Sequence, residues 1–197
     1  DILLRIDLFR ELCEENACWG KARTFASDYG RYLYLNGRSE MPDYQPFDDR
    51  TFEVYAMCAI AGSGKDSYIR QHLTHLPMLS LDEIRRERKL DPADSKHTAE
   101  AVRLGKEQAK EYLRARTSFV FNATNLNRDL RSKWLPMFAD YGARVHLIYL
   151  EVPYTRLLSQ NRNREHSVPN DVLHRMIEKL EIPDYSEAHT VDFVVSS

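Results

Sequence analysis

The pattern of apolar positions changes character near residue 47. Before it, hydrophobic residues recur at helical spacing: Leu4, Leu8, Leu12 and Cys13 within 2–16, then Phe25, Tyr29, Tyr32 and Leu33 within 21–35. These segments predict a two-helix hairpin. Residues 39–46 carry Pro42 and Pro46 and show little periodicity, which marks a linker. From Phe47 onward, short apolar runs alternate with amphipathic stretches. Strands are expected at 52–60, 78–81, 118–122, 143–151 and 191–196, and helices at 65–76, 82–89, 96–116, 128–141, 154–164 and 170–181. Such alternation predicts an α/β fold, a parallel sheet sandwiched by helices through right-handed crossovers. The expected organisation is a helical extension with linker at 1–46 and one α/β domain at 47–197. No internal repeat or low-complexity segment interrupts it.

Composition narrows the class. A chain of 197 residues has room for one such domain and a small appendage. No apolar run approaches the roughly 18 residues a membrane span requires, and Arg5 interrupts what would be the apolar part of a leader. A cytoplasmic protein with no membrane partner is the expectation. The first residue is Asp1 rather than Met, which suggests a piece of a longer protein with further modules. Cys13, Cys18 and Cys58 form no paired framework and no second Cys or His pair accompanies them, so reduced thiols are expected rather than disulfides or zinc. The net charge of −2 argues against a protein that coats nucleic acid, but not against an enzyme gripping a few nucleotides at one end.

The chemistry begins where the first strand ends. Residues 59–67 read Ala-Ile-Ala-Gly-Ser-Gly-Lys-Asp-Ser, a P-loop between a strand and a helix. Gly62 and Gly64 let the backbone curl around Ser63 so that its N–H groups point inward, and the following helix adds its positive end; together they cradle a triphosphate, with Lys65 reaching the β and γ phosphates. The loop departs from the usual pattern twice. Ala59 stands where the first Gly is usual, and Asp66 replaces the hydroxyl residue that normally contacts magnesium. A carboxylate also suits this hard cation, directly or through water, so Asp66 and Ser67 are the metal candidates. ATP or another NTP with Mg²⁺ is therefore the expected cofactor set.

In an open α/β sheet, ligands gather at the carboxyl ends of the strands. The second predicted strand runs into Asp82, with Arg85 one turn later on the same helical face. The aspartate suits proton removal from an attacking hydroxyl, and the arginine suits a two-pronged grip on phosphate. The third ends in Asn122-Ala123-Thr124-Asn125, followed by Arg128 and Arg131; a motor ATPase would more often place a carboxylate at Asn122. Asn122-Ala-Thr also fits a glycosylation pattern, which the lack of a leader and the buried strand end discount. A basic run, 156–166, contains Arg156, Gln160, Arg162 and Arg164 and suits a lid over the triphosphate.

With these motifs in this order, residues 52–197 resemble the phage-type polynucleotide 5′-kinase family, in particular the bacterial kinase modules of nucleic-acid end-healing enzymes, including those fused to an HD-type phosphohydrolase. The resemblance implies a P-loop kinase domain at 47–197 with an Arg-bearing helical lid. It implies donor-phosphate binding by Lys65 and Ser67, a general base at Asp82, an acceptor-phosphate contact at Arg85, and lid contacts from Arg162 and Arg164. Asn122, Thr124, Asn125, Arg128 and Arg131 are the remaining substrate-side candidates. Arg162 and Arg164 are two apart, where one helical face requires three or four, so Arg156 or Gln160 could share the lid role. The implied substrate is a 5′-OH RNA or DNA end. No phosphatase or ligase signature is present, so such a partner activity belongs to another module. Two other readings stay open: a small-molecule kinase, and a nucleotide-gated interaction module without transfer chemistry.

Overall fold

The computed structural model describes residues 1–164 and 167–196, which divide into two compact units, Asp1–Phe47 and Asp48–Ser197. In the first unit, α1 spans Ile2–Glu15 and α2 spans Asp28–Leu35. The second helix starts seven residues later than its periodicity predicts. Ser27 adopts an extended backbone and its hydroxyl accepts from Gly30 N at 3.0 Å, which caps the helix there and leaves 21–26 irregular. Arg23 fastens that irregular stretch by donating to Asn16 O and to Asp43. α1 buries none of its residues and leaves Leu4, Leu8 and Leu12 exposed.

The second unit contains a five-stranded parallel sheet in the order β2-β3-β1-β4-β5: Met78–Ser80, Phe119–Asn122, Glu53–Cys58, Arg144–Glu151 and Thr190–Val195. Its register sets Val54 beside Phe119 and Val145, and Ser80 beside Asn122. The helices are α3 (Lys65–His72), α4 (Leu81–Arg88), α5 (Ser95–Arg114), α6 (Arg128–Ser132), α7 (Leu135–Asp140), α8 (Tyr154–Arg162) and α9 (Asn170–Glu178). Strands covered on both faces are apolar where they are buried: all four residues of β3 are buried, whereas the polar Arg144 and Glu151 stand at the two ends of β4 and Asp192 is exposed on the edge strand β5. Val54, Ala56, Phe119, Phe121, Val145 and Leu147 pack with α5 and α7 through Ala109, Leu113, Leu135 and Phe138. The alternate residues Met57, Val120 and Ile148 pack with Ile69 and Leu73 on the α3 side.

One predicted helix, 128–141, is two. Pro136 near the start of α7 has no N–H to give, and its ring opposes the carbonyl of Ser132, so the helix breaks at Lys133 and Trp134. Among the described residues no helix is long and apolar enough to cross a membrane.

A buried ion pair ties the loops at the carboxyl end of the sheet together. Arg131 is 1% exposed, and its guanidinium makes a two-pronged bond to Glu187, at 2.6 and 2.9 Å, while donating to the carbonyls of Asn125 and Glu181 at 3.0 and 2.9 Å. Removing one member of such a pair strands the other charge in the interior. Glu187→Ala is therefore expected to destabilise the protein by about 3–5 kcal/mol, against less than about 1 kcal/mol for Asp184→Ala, whose bridge to Arg128 is solvent-exposed. Urea denaturation of the two variants checks this contrast.

Candidate active site

Strand β1 sits at the centre of the sheet and empties into the P-loop. Gly62 and Gly64 hold φ of 89° and 97°, in the region only glycine enters without strain, and Gly64 is the residue that starts α3. Ser63 is buried and its hydroxyl donates to Ile60 O at 2.8 Å, closing the turn. Lys65 lies over the loop with its ammonium 3.2 Å from the carbonyls of Ala59 and Ile60. Burial pushes this ammonium down to about 8; Asp66 and Asp82 pull the other way and Arg164 adds to the depression.

Asp66 projects from the first turn of α3. One carboxylate oxygen accepts from Asn122 Nδ2 at 3.0 Å, and the other lies 3.9 Å from Arg164. Asn122, at the buried end of β3, thus faces the P-loop. Ser67 is exposed and its hydroxyl accepts from Arg70 at 3.2 Å. At the end of β2, Ser80 caps α4, which presents Asp82 in its first turn; Asp82 and Arg85 are bonded at 2.6 Å with most of the carboxylate open to solvent. Arg85 Nε is shielded from solvent and has no hydrogen-bond partner among the described residues.

The other candidates behave differently. Thr124 contributes its carbonyl, which accepts from Ala59 N at 2.9 Å and splices the P-loop to the β3–α6 loop. Asn125 is buried with φ of 48°, and its amide donates to Met57 O. The Asn125 side chain thus holds the loop in place. Arg131, expected on the substrate side, lies in the interior as described above, because Glu187 satisfies its charge there. Arg128 is exposed but committed to Asp184 and Ser186 at 2.6 and 2.8 Å. Arg162 is exposed and donates to Leu158 O of its own helix, whereas Arg164, beyond the end of α8, approaches Asp66. Glu165 and His166 of the basic run lie outside the described residues.

Sequence reasoning passed over the residue that seats α8. Asn161 is 1% exposed; a Cβ added to Gly62 would lie 3.3 Å from its Cβ, so α8 packs directly on the loop. The Asn161 side chain bonds both N–H and C=O of Val168, clasping the ends of the segment between them. Gln160, with its amide nitrogen toward the loop, donates to Gly62 O at 2.7 Å and accepts from Arg156 Nε at 3.2 Å. The only sequence signal was a pair of amides inside an otherwise arginine-rich run.

This geometry and strand order define a P-loop α/β protein of the kinase type. Residues 54–183 match the family AAA_33, an AAA domain, and the chain belongs to that family. No curated protein matches it in sequence. Among solved structures it is similar to a sugar kinase from Janibacter sp., with 17% identity, 74% of this chain and 86% of the other covered, and a TM-score of 0.57. A gluconokinase from Sinorhizobium meliloti gives 20%, 74%, 83% and 0.51 in the same order. A chain of the Pnkp1/Rnl/Hen1 RNA repair complex gives 14%, 66%, 44% and 0.59. At these identities the likeness is one of fold.

The lysine supplies a pH test. A triphosphate favours the charged ammonium, so binding raises the Lys65 pKa from about 8 toward its ordinary value. At pH 9 the free protein holds Lys65 mainly neutral, and nucleotide binding should take up as much as about one proton; near pH 6 the ammonium is already charged and this uptake vanishes. Calorimetry in buffers of different ionisation enthalpy reads it, and Lys65→Met should abolish it.

Proposed function

We propose that this chain is a polynucleotide 5′-hydroxyl kinase, moving the γ phosphate of ATP or another NTP to the 5′-OH of RNA or DNA in end healing. The observation that carries the reading is the Asp82–Arg85 pair at the sheet's carboxyl end, a carboxylate mostly open to solvent and bonded to a guanidinium, with Asp82 among the charges that act on Lys65. Asp82 takes the proton of the attacking hydroxyl as its oxygen bonds to the γ phosphorus, and the bond from phosphorus to the β–γ bridging oxygen breaks to release NDP. Arg85 holds an acceptor phosphate, Lys65 the donor phosphates, and Arg164 with Arg162 or Arg156 offsets charge developing between them. The fold likeness to a chain of an RNA repair complex is compatible with this substrate, and a phosphatase or ligase activity would belong to another module.

The residues at the loop also fit magnesium. Among the described residues no three His, Cys, Asp or Glu side chains cluster as a metal cage, but magnesium on a nucleotide needs only one or two protein oxygens beside phosphates and water. Asp66 and Ser67 supply such oxygens, and the ion would neutralise phosphate charge.

A second reading has support of its own. With Arg128 and Arg131 engaged by Asp184 and Glu187, Arg85 carries the acceptor-phosphate contact without them, and a small hydroxyl substrate such as a sugar needs no more. Incubation with γ-labelled ATP and a 5′-OH oligonucleotide separates the readings. The polynucleotide reading expects labelled oligonucleotide, a loss in kcat of about 100-fold or more for Asp82→Ala, and a raised acceptor KM for Arg85→Ala. Label moving only to a sugar acceptor supports the second reading, and nucleotide binding without turnover supports a non-catalytic module.

A further inference from the structure

In P-loop NTPases, magnesium is held by the hydroxyl residue that follows the lysine and by a carboxylate at the end of a neighbouring strand. This chain departs from that pattern at both positions. The residue after Lys65 is Asp66, and β3, which pairs directly with β1, ends in Asn122. The carboxylate and the neutral side chain stand in each other's places. They are also in contact, since Asn122 Nδ2 donates to Asp66 Oδ1 at 3.0 Å across 56 residues of sequence.

We infer that the two positions have exchanged roles: Asp66 supplies the one carboxylate of the magnesium site, and Asn122 is the positioning residue that aims it. The inference rests on the magnesium–nucleotide part of the proposed function and on nothing about the acceptor. Charge explains why the departures come together. The usual pair holds one carboxylate and one neutral group, and so does the exchanged pair. Changing either position alone would leave two carboxylates about 3 Å apart, which repel when the ion is absent, or none, which leaves the dication without an anionic protein ligand.

Two further observations favour Asp66 over Ser67 as the ligand. The Ser67 hydroxyl already accepts from Arg70, whereas among the described residues the second oxygen of Asp66 is approached by Arg164, at 3.9 Å and beyond hydrogen-bond reach. Asn122, buried and fixed at the strand end, leaves Asp66 little freedom to turn away from the loop. A structural role alone would be met by any hydrogen-bonding pair at these positions, with no bearing on metal.

The test is a reciprocal swap. Wild type, Asp66→Ser, Asn122→Asp and the double variant are titrated with a non-hydrolysable ATP analogue across a magnesium series. Asp66→Ser should raise the magnesium concentration for half-maximal tightening about 10–100-fold, and adding Asn122→Asp should return it to within about three-fold of wild type. Asn122→Asp alone should melt lower without magnesium and gain more from its addition than wild type does. An unchanged magnesium requirement in Asp66→Ser overturns the inference and leaves Asp66 as a counter-ion for Arg164. A double variant no better than Asp66→Ser overturns it as well, as does magnesium-independent binding by wild type. Asp66 is exposed, so Asp66→Ser is expected to fold and decides the matter even if the other variants do not. No acceptor enters the measurement, so a wrong acceptor assignment and a failed swap give different results.

Discussion

The carboxyl end of the sheet depends on one buried guanidinium. Arg131 reaches from α6 to three separate pieces of chain: the β3–α6 loop through Asn125 O, the segment after α9 through Glu181 O, and the approach to β5 through Glu187. Its Nη1 also lies 3.7 Å from Cys58 Sγ at the last position of β1, and that thiol donates to Asn125 O. A planar fork with five donors can satisfy carbonyls and a carboxylate at once in a way a lysine cannot. Burying the charge costs free energy that the pairing with Glu187 roughly offsets, so the gain lies in geometry rather than in net stability. Loops that would otherwise move independently share one anchor, directly behind the P-loop.

On that anchored base the chemistry is arranged by short-range couplings. The β3–α6 loop touches the P-loop backbone through Thr124 O and Ala59 N, so fixing Asn125 also fixes the loop. From the other side α8 packs on Gly62, where the absence of a Cβ lets Asn161 approach, and Gln160 bonds the Gly62 carbonyl. Gly62 thus serves two ends, a positive φ for the turn of the P-loop and a close approach for α8. Arg164 comes near Asp66 from just beyond that helix, and the Asn161 side chain bonds both backbone groups of Val168.

Local pattern was enough for the strands, for most helices and for the P-loop. Apolar runs such as Phe119–Phe121 can only be strands covered on both faces, and a Gly-Ser-Gly-Lys turn after such a run leaves few backbone paths. Where local signals competed, the sequence misled. The periodicity of 21–35 overlooked the cap at Ser27, and that of 128–141 overlooked what Pro136 does to a helix. On α1 the apolar spacing marks a helix but not what covers it; Leu4, Leu8 and Leu12 remain exposed.

The sequence by itself determined the backbone chemistry of the site, because glycine positions, strand ends and helix starts are properties of a few consecutive residues. It placed Lys65, Asp66, Asp82 and Arg85 correctly with respect to their elements for the same reason. The tertiary structure alone decided what each charged side chain is for. Arg131 and Arg85 follow strand ends in much the same way, yet one meets Glu187, 56 residues on, and is consumed by the interior, while the other bonds Asp82, whose carboxylate is open to solvent. The function of a guanidinium is set by the partner that reaches it, and partners distant in sequence are brought near only by the fold. Asp66 shows this most plainly: an oddity in the motif, it acquires a meaning once Asn122 is found bonded to it.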